Sequence, residues 1–325
     1  MAYRFFNGQA HAASYWKHRV PPSDELVQLV LQFLEKHKGH PFELAVDVGC
    51  GSGQGTLLLA KHFDSVVGTD VSPAQLELAL QHAKEKNITY RECLAEELPF
   101  ADSSVDLVTA MTAFHWFDRP HFLQEAHRVL KPRGCLALLS YTMDMEISYQ
   151  DCCLHTLNQV CKEFYEALKP YRNPCLGART DVLYRAAYES IPYPVKEWQE
   201  NIWVRRSMPL CSFIGMLETF STYQALLRED PQRAANLSQD MCERLMSIMK
   251  VTSAETELMV GIRLHCLQNL KFCVFLKSPA WRGLRSRLCL QQSTAGVADG
   301  GLNSRGGCLV DYGVARSASF ETAGI

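Results

Sequence analysis

Apolar residues in the first half of the chain recur with two alternating periods. Positions three and four residues apart predict an amphipathic helix at 24–37, capped by Ser23 or Asp24. Further helical periods lie at 53–62, 73–86 and 119–130. Short apolar runs between the helices predict strands at 44–48, 65–69, 88–91, 105–111 and 135–140. Strands and helices that alternate in this way are typical of an α/β fold with a doubly wound, mostly parallel sheet.

After Tyr141 the pattern changes to a longer helical stretch at 151–190. The elements expected after it are a sixth strand at 195–205, helices at 210–228 and 231–250, and a seventh strand at 269–277. We interpret the helical stretch as an insertion between strands five and six of a seven-stranded sheet. It would cover the carboxyl edge of the sheet, where open α/β sheets bind ligands.

A glycine-rich segment, VDVGCGSGQG, starts at position 46 and follows the first strand. Glycines at 49, 51 and 53 let the backbone approach a ligand where a Cβ would clash. Asp70 closes the second strand, where an acid can accept hydrogen bonds from both hydroxyls of a ribose. An acid there could also cap the next helix, but Ser72 suits that role better. The arrangement predicts a pocket for a nucleotide cofactor.

The spacing of the glycines distinguishes between cofactors. A dinucleotide site uses G-x-G-x-x-G, with the pyrophosphate on the helix N-terminus. This chain has G-x-G-x-G-x-G, preceded by Asp47. An acid beside the loop suits a cationic ligand and would repel a pyrophosphate, and S-adenosylmethionine carries both an ammonium and a sulfonium. A dinucleotide site and a merely tight strand-to-helix turn remain alternatives on these residues alone.

With this motif the chain resembles the class I S-adenosylmethionine-dependent methyltransferases. Over about residues 1–277 it is most similar to the small-molecule group that includes trans-aconitate methyltransferases. The segments that carry this resemblance are YWKHRVPP at 15–22, AEELPFADSSVD at 95–106 and FHWFD at 114–118. The first segment departs from the group's pattern at Val20 and Pro22.

The resemblance implies a set of cofactor contacts around the glycine loop. Asp47 would face the ammonium of the methionine end, and Gly49, Gly51 and Gly53 would line that end. Asp70 would hold the ribose hydroxyls. These roles make the carboxyl ends of strands one and two the centre of the expected site.

Two further segments are implied to contact the cofactor. Ala95 and Glu96 would meet the edge of the adenine, although Glu96 could instead be a solvated surface acid. Met111 and Thr112 would lie beside the methyl donor, at the end of strand four.

An N-terminal lid is expected from Tyr15 and Arg19. The Arg19 guanidinium would pair with the cofactor carboxylate in a planar two-bond fork that lysine cannot reproduce. An ordinary surface role for both residues stays open on the sequence alone.

Candidate acceptor-binding residues follow strand four and reappear in the insertion and strand six. His115 would act as a general base or hydrogen-bond a substrate carboxylate, or would only cap the next helix. Trp116 is expected to form a wall of the pocket. Candidate cations for an acceptor carboxylate are Arg172, Arg179, Arg205 and Arg206. Solvated arginines are common, so a surface role for these four is the alternative.

These residues lead to one functional hypothesis with two alternatives. The chain is expected to transfer a methyl group from S-adenosylmethionine to a small-molecule acceptor, and the resemblance points to a carboxylic acid. Transfer runs directly from the sulfonium to an aligned nucleophile and needs no metal. One alternative is a quinone-like or lipid acceptor, suggested by the aromatic and apolar insertion. The other is a catalytically silent S-adenosylmethionine-binding protein.

The elements divide the chain into five expected parts. These are an N-terminal lid and helix at 1–43, a cofactor-binding core at 44–143, a helical substrate cap at 144–193, the completion of the sheet with flanking helices at 194–277, and an atypical tail at 278–325. Residues 279–325 hold 8 of the 19 glycines and no lysine. We expect this tail to be disordered, because it has no sustained apolar period.

Composition narrows the class of partner. The 325 residues include 33 basic and 35 acidic ones, and the net charge of −2 favours neither nucleic acid nor an anionic membrane. No stretch approaches the roughly 20 apolar residues of a membrane span, so a cytoplasmic protein is expected. The 13 cysteines are scattered, without a repeated metal-binding spacing, and are expected to be reduced. The oligomeric state is left open.

Overall fold

The computed structural model describes residues 8–173 and 180–270. The strands are β1 (Leu44–Val48), β2 (Ser65–Asp70), β3 (Ile88–Glu92), β4 (Val105–Met111), β5 (Leu130–Ser148), β6 (Val195–Pro209) and β7 (Glu257–Leu270). They form one sheet in the order β3-β2-β1-β4-β5-β7-β6. Strands β1 to β5 pair in parallel, whereas β7 is antiparallel to both β5 and β6. The predicted doubly wound, mostly parallel α/β sheet is confirmed.

Helices cover both faces of this sheet. They are α1 (Gln9–His18), α2 (Asp24–His37), α3 (Gln54–Leu59), α4 (Pro73–His82), α5 (Arg119–Val129), α6 (Leu154–Leu168), α7 (Thr180–Ser190), α8 (Leu210–Glu218), α9 (Ser221–Glu229) and α10 (Pro231–Met249). One core includes Leu34 of α2, Phe164 of α6 and Phe213 of α8. The core on the other face includes Phe122 of α5 and Tyr184 of α7.

Local side-chain chemistry explains where two of these helices begin. The Ser23 hydroxyl accepts a hydrogen bond from the backbone N–H of Leu26 and caps α2. The Ser72 hydroxyl accepts one from Gln75 and caps α4, whose first residue is Pro73. Both caps satisfy N–H groups that the first helical turn leaves unpaired. The expected helix at 24–37 is confirmed with its cap at Ser23.

The expected bounds of strand five are wrong, because β5 runs to Ser148 instead of ending at 140. Its second half pairs with β7 in an antiparallel ladder, and Met145 and Ile147 are buried while Glu146 between them is exposed. Such alternation has a period of two and contains no continuous apolar run. Pairing with β6 starts β7 at Glu257, well before the expected 269.

Two predicted helices are also shorter than expected. Helix α4 ends at His82 because Ala83 adopts an extended conformation, whereas the apolar period suggested an end near 86. The stretch 210–228 is divided into α8 and α9 at Thr219 and Phe220. The end of the predicted closing strand, at 271–277, and the tail at 278–325 lie outside the described residues, as does Arg179.

The order of the strands fixes where a ligand can enter. The chain proceeds from β1 to β2 and β3 on one side of the sheet, and β4 and β5 lie on the other side. A crevice therefore opens at the carboxyl ends of β1 and β4, where the strand order reverses. Among the described residues, no helix is both long enough and apolar enough to cross a bilayer.

Candidate functional site

A cavity lies at this reversal point. Its walls come from the segment between α1 and α2, the loop after β1, the end of β4 and the middle of β5, together with Val204, Met216 and Ile262. Among the described residues of its lining, Arg19 and Asp47 are the two that carry charge. The cavity thus holds one cation and one anion within walls that are otherwise neutral.

The glycine loop takes the shape that its sequence suggests. Gly49 and Gly53 have φ angles of +68° and +83°, in the left-handed region that glycine adopts without strain. A Cβ on Gly49 would lie 2.5 Å from the Cβ of Ala113, and one on Gly53 would overlap the Tyr90 hydroxyl. The loop is therefore packed closely against Ala113 and Tyr90, neither of which lines the cavity.

Asp47 is buried at the end of β1, with 1% of its surface exposed. Its Oδ2 accepts a hydrogen bond from the Thr56 hydroxyl and its Oδ1 accepts one from Thr109, both at 2.8 Å. Burial raises the pKa of Asp47 to about 6, and the charge of Asp70 adds to the rise against the effect of the two hydroxyls. A cationic group in the cavity would stabilise this desolvated carboxylate.

Asp70 ends β2 beside the same loop. Its Oδ2 accepts a hydrogen bond from the backbone N–H of Gly51 and its Oδ1 accepts one from Ser72, both at 2.9 Å. Burial raises the pKa of Asp70 as well. Two further polar atoms nearby, Oγ of Ser52 and Oε1 of Gln75, are buried without a hydrogen-bond partner. Buried polar atoms are normally paired, so this surface fits a polar ligand.

Arg19 also lines this cavity. Its Nε donates to the Thr219 hydroxyl at 2.7 Å and its Nη2 to the Thr219 carbonyl at 3.4 Å. Tyr15, which also lines the cavity, presents its ring to the guanidinium. Burial lowers the pKa of Arg19, but a guanidinium stays protonated in proteins. Arg19 and Asp47 therefore offer opposite charges to one bound molecule.

Thr112 shows backbone strain in the cavity wall. Its φ is +58°, although it is β-branched, and its N–H donates to the Leu139 carbonyl at 2.7 Å. The left-handed conformation costs a residue with a Cβ about 1 to 2 kcal/mol. Such strain persists where the surrounding structure enforces it and is concentrated at functional sites.

Replacing Thr112 by glycine tests this strain. We expect Thr112→Gly to raise the free energy of unfolding by about 1 kcal/mol, because glycine adopts a positive φ freely. Urea denaturation measures the change. Ser103→Gly is the matched control, since Ser103 is exposed with a φ of +54° and should gain a similar amount. A loss of stability in Thr112→Gly alone would show that its side-chain contacts outweigh the strain.

His115 and Trp116 form a short turn after β4, and neither belongs to the cavity lining. Burial, together with the positive charges of Arg119, Arg19 and Arg172, lowers the pKa of His115 to about 3. The hydroxyl of buried Tyr184 on α7 lies 3.5 Å from its Nδ1. An imidazole with this pKa is a weak base at neutral pH, and the geometry favours a neutral hydrogen-bonding role.

The remaining predicted residues lie apart from the cavity lining. Ala95 is buried, and Glu96 accepts a hydrogen bond from the backbone N–H of Asp118 at 2.7 Å. Arg205 is exposed on the side of β6 opposite Val204, because side chains alternate along a strand. Arg206 shares the side of Val204 but does not line the cavity.

Several contributors to the site are not among the residues predicted from the sequence. Thr56 and Thr109 hold Asp47, and Thr219 holds Arg19. Thr109 had a local signal, since it is a polar residue within an apolar strand. Its pairing in register with Asp47 is visible only in the structure. Within 8–173 and 180–270, no group of three or more His, Cys, Asp or Glu side chains is arranged to hold a metal ion.

Comparison with known proteins gives consistent matches. A family described as a methyltransferase domain matches residues 46–138. A probable S-adenosylmethionine-dependent methyltransferase of Saccharomyces cerevisiae is 32% identical, over 70% of this chain and 85% of its own length. A Dictyostelium discoideum protein that carries the name of a methyltransferase is 29% identical, over 75% of this chain and 87% of its own length.

A solved structure from Anaeromyxobacter dehalogenans, described as a type II methyltransferase, shares the fold. Its TM-score is 0.59 with 23% sequence identity, and the match covers 78% of this chain and 97% of that one. The mostly parallel α/β fold of this chain is thus shared by a second protein.

Proposed function

The chain belongs to the class I S-adenosylmethionine-dependent methyltransferases, and we propose that it transfers the methyl group of that cofactor to a small-molecule acceptor. The observation that carries the proposal is the pair of opposite charges in the cavity lining, Asp47 and Arg19. The methionine end of the cofactor is a zwitterion, with an ammonium and a carboxylate. One acid and one base in an otherwise neutral cavity complement it.

The other residues have roles that follow from their positions. Asp47 would hold the ammonium, and Arg19 with Tyr15 would hold the carboxylate and close the N-terminal lid over it. Asp70 would accept hydrogen bonds from the ribose. The remaining cofactor contacts in the proposal are Gly49, Gly51, Gly53, Ala95, Glu96, Met111 and Thr112.

The protein's contribution to the reaction is alignment and exclusion of water. The bound cofactor supplies an activated methyl group, and alignment alone can contribute about 7 to 11 kcal/mol to lowering a barrier. Asp47 and Arg19 would fix the donor end, and the insertion at 144–193 would cap the acceptor. His115, neutral at physiological pH, would hydrogen-bond the acceptor instead of taking its proton.

A carboxylic acid is the acceptor class that we propose, as in the trans-aconitate-like group. Arg19, Arg119 and Arg172 lie close enough to His115 to lower its pKa, so the local potential is positive and favours an anion. A quinone-like or lipid acceptor is the second candidate. Its support is the apolar part of the lining, which includes Leu26, Met145, Val204, Met216 and Ile262.

Calorimetric titration with S-adenosylmethionine and S-adenosylhomocysteine tests the proposal. We expect micromolar binding that Asp70→Ala weakens by about 2 kcal/mol, because a charged acceptor of hydrogen bonds is lost. Asp64→Ala is the matched control: Asp64 is exposed just before β2, at the opposite end from Asp70.

The outcome decides which experiment comes next. Binding that depends on Asp70 and not on Asp64 would justify an acceptor screen that begins with small carboxylates and continues with quinone-like compounds. Binding without turnover of any acceptor would favour the silent S-adenosylmethionine-binding protein. An absence of binding would contradict the enzyme assignment of this chain.

A further inference from the structure

Thr219 lies where α8 ends and α9 is about to begin, 200 positions after Arg19, and it is fully buried. It accepts hydrogen bonds from Arg19 at both its hydroxyl and its carbonyl, at 2.7 and 3.4 Å. Its hydroxyl proton is directed to the Met216 carbonyl at 2.6 Å, which fixes the orientation of the hydroxyl. Nε2 of His11 lies 3.1 Å from the same Thr219 carbonyl oxygen, within hydrogen-bonding distance. Two side chains of the N-terminal segment therefore converge on this one residue.

Aromatic rings complete the surroundings of the Arg19 guanidinium. Its central carbon lies 4.6 Å from the ring centre of Tyr15, 4.7 Å from Phe220 and 5.6 Å from Tyr141. Rings at such distances attract a cation and restrict the plane of a guanidinium. Among the described residues, no carboxylate forms an ion pair with Arg19.

The hydrogen bonds that Arg19 already makes determine what it can still bind. A guanidinium has five N–H donors in a fixed fork. The contacts with Thr219 use one donor on Nε and one on Nη2. The remaining donors are those of Nη1 and the second one of Nη2, which together can hold both oxygens of one carboxylate.

We propose that Thr219 is a positioning residue for the cofactor, which holds Arg19 so that its remaining N–H donors meet the carboxylate of the methionine end. This inference rests on the proposed function. It predicts that a hydroxyl at the α8–α9 junction controls affinity for the amino-acid part of the ligand and leaves affinity for the adenosine part unchanged.

Two ligands separate these parts. S-adenosylhomocysteine carries the amino-acid end, and 5′-methylthioadenosine lacks it. We expect Thr219→Val to lower the affinity for S-adenosylhomocysteine by about tenfold, the value of one charge-assisted hydrogen bond. The affinity for 5′-methylthioadenosine should be unchanged. Thr219→Ser keeps the hydroxyl and should restore the affinity. Calorimetry on the full chain measures the affinity of each variant, and of the unmodified protein, for both ligands.

Controls distinguish positioning from general destabilisation. Ser238→Ala removes another buried hydroxyl of the helical layer, whose oxygen lies 2.9 Å from that of Tyr223, and should not alter the ratio of the two affinities. Arg19→Met should lower the affinity for S-adenosylhomocysteine and not that for 5′-methylthioadenosine. Adding Thr219→Val to Arg19→Met should lower the affinity no further. Arg19→Met also keeps the test decisive if Thr219→Val fails to fold.

Three results would overturn the inference. The first is an equal loss of affinity for both ligands in Thr219→Val. The second is additive losses of affinity when Thr219→Val is combined with Arg19→Met. The third is an equal loss of affinity for both ligands in Arg19→Met. Failure of the unmodified protein to bind either ligand would instead contradict the proposed function. The two failures are therefore distinguishable.

Discussion

Gly53→Ala is expected to lower the free energy of unfolding by about 3 kcal/mol and to abolish binding of S-adenosylhomocysteine. Two effects add at this position. The φ of +83° strains any residue with a Cβ, and that Cβ would overlap the Tyr90 hydroxyl and approach the Cβ of Ala79 to 3.1 Å. Chemical denaturation and calorimetric titration of the same preparation measure the two losses.

Gly51→Ala is the matched control for this prediction. Gly51 has a φ of +54°, but the nearest atom to its Cβ would be Oε1 of Gln75 at 3.7 Å. We therefore expect only the strain, about 1 kcal/mol. Tyr90→Phe in the Gly53→Ala background should recover part of the stability, because it removes the overlapping hydroxyl. Equal losses for Gly51→Ala and Gly53→Ala would contradict the steric part of the argument.

The glycine loop shows how far the sequence could predict the site. The spacing correctly predicted a tight turn between β1 and α3, and it attributed the glycines to the approach of a ligand. In the structure, Gly49 faces Ala113 and Gly53 faces Tyr90. The pattern was sufficient for the turn, but the atoms that require glycine come from β3 and from the residues after β4. Contacts of this kind depend on tertiary packing.

Two features could not be predicted from the sequence: the antiparallel edge of the sheet and the contact between Arg19 and Thr219. In the antiparallel ladder, buried and exposed residues alternate at 145–147 of β5 and at 257–260 of β7, so these segments lack the continuous apolar run by which a buried strand is recognised. Thr219 contacts Arg19 across 200 positions of sequence. No local period or motif connects the two residues, and only the packing of α1 against α8 brings them together.

The buried carboxylate of Asp47 should lower stability and support binding at the same time. Its pKa of about 6 exceeds its usual value of 3.8, so the folded state binds a proton more tightly than the unfolded state does. Stability from this group is fully present below about pH 4 and is lost as the pH rises through about 6, a difference of about 3 kcal/mol. The nearby Asp70, whose pKa is also raised, contributes in the same direction.

Asp47→Asn separates the two effects. We expect the variant without ligand to be more stable than the unmodified protein at pH 8, and to lose the part of the pH dependence between 4 and 6 that Asp47 contributes. Its affinity for S-adenosylhomocysteine should fall by roughly 10²-fold, because the ligand's ammonium loses a charged partner. In the unmodified protein, that ammonium should lower the pKa of Asp47, so binding near pH 6 should release a proton. Calorimetry in buffers of different ionisation enthalpy detects the release. Affinity that is unchanged in Asp47→Asn would show that the carboxylate only holds Thr56 and Thr109 in place.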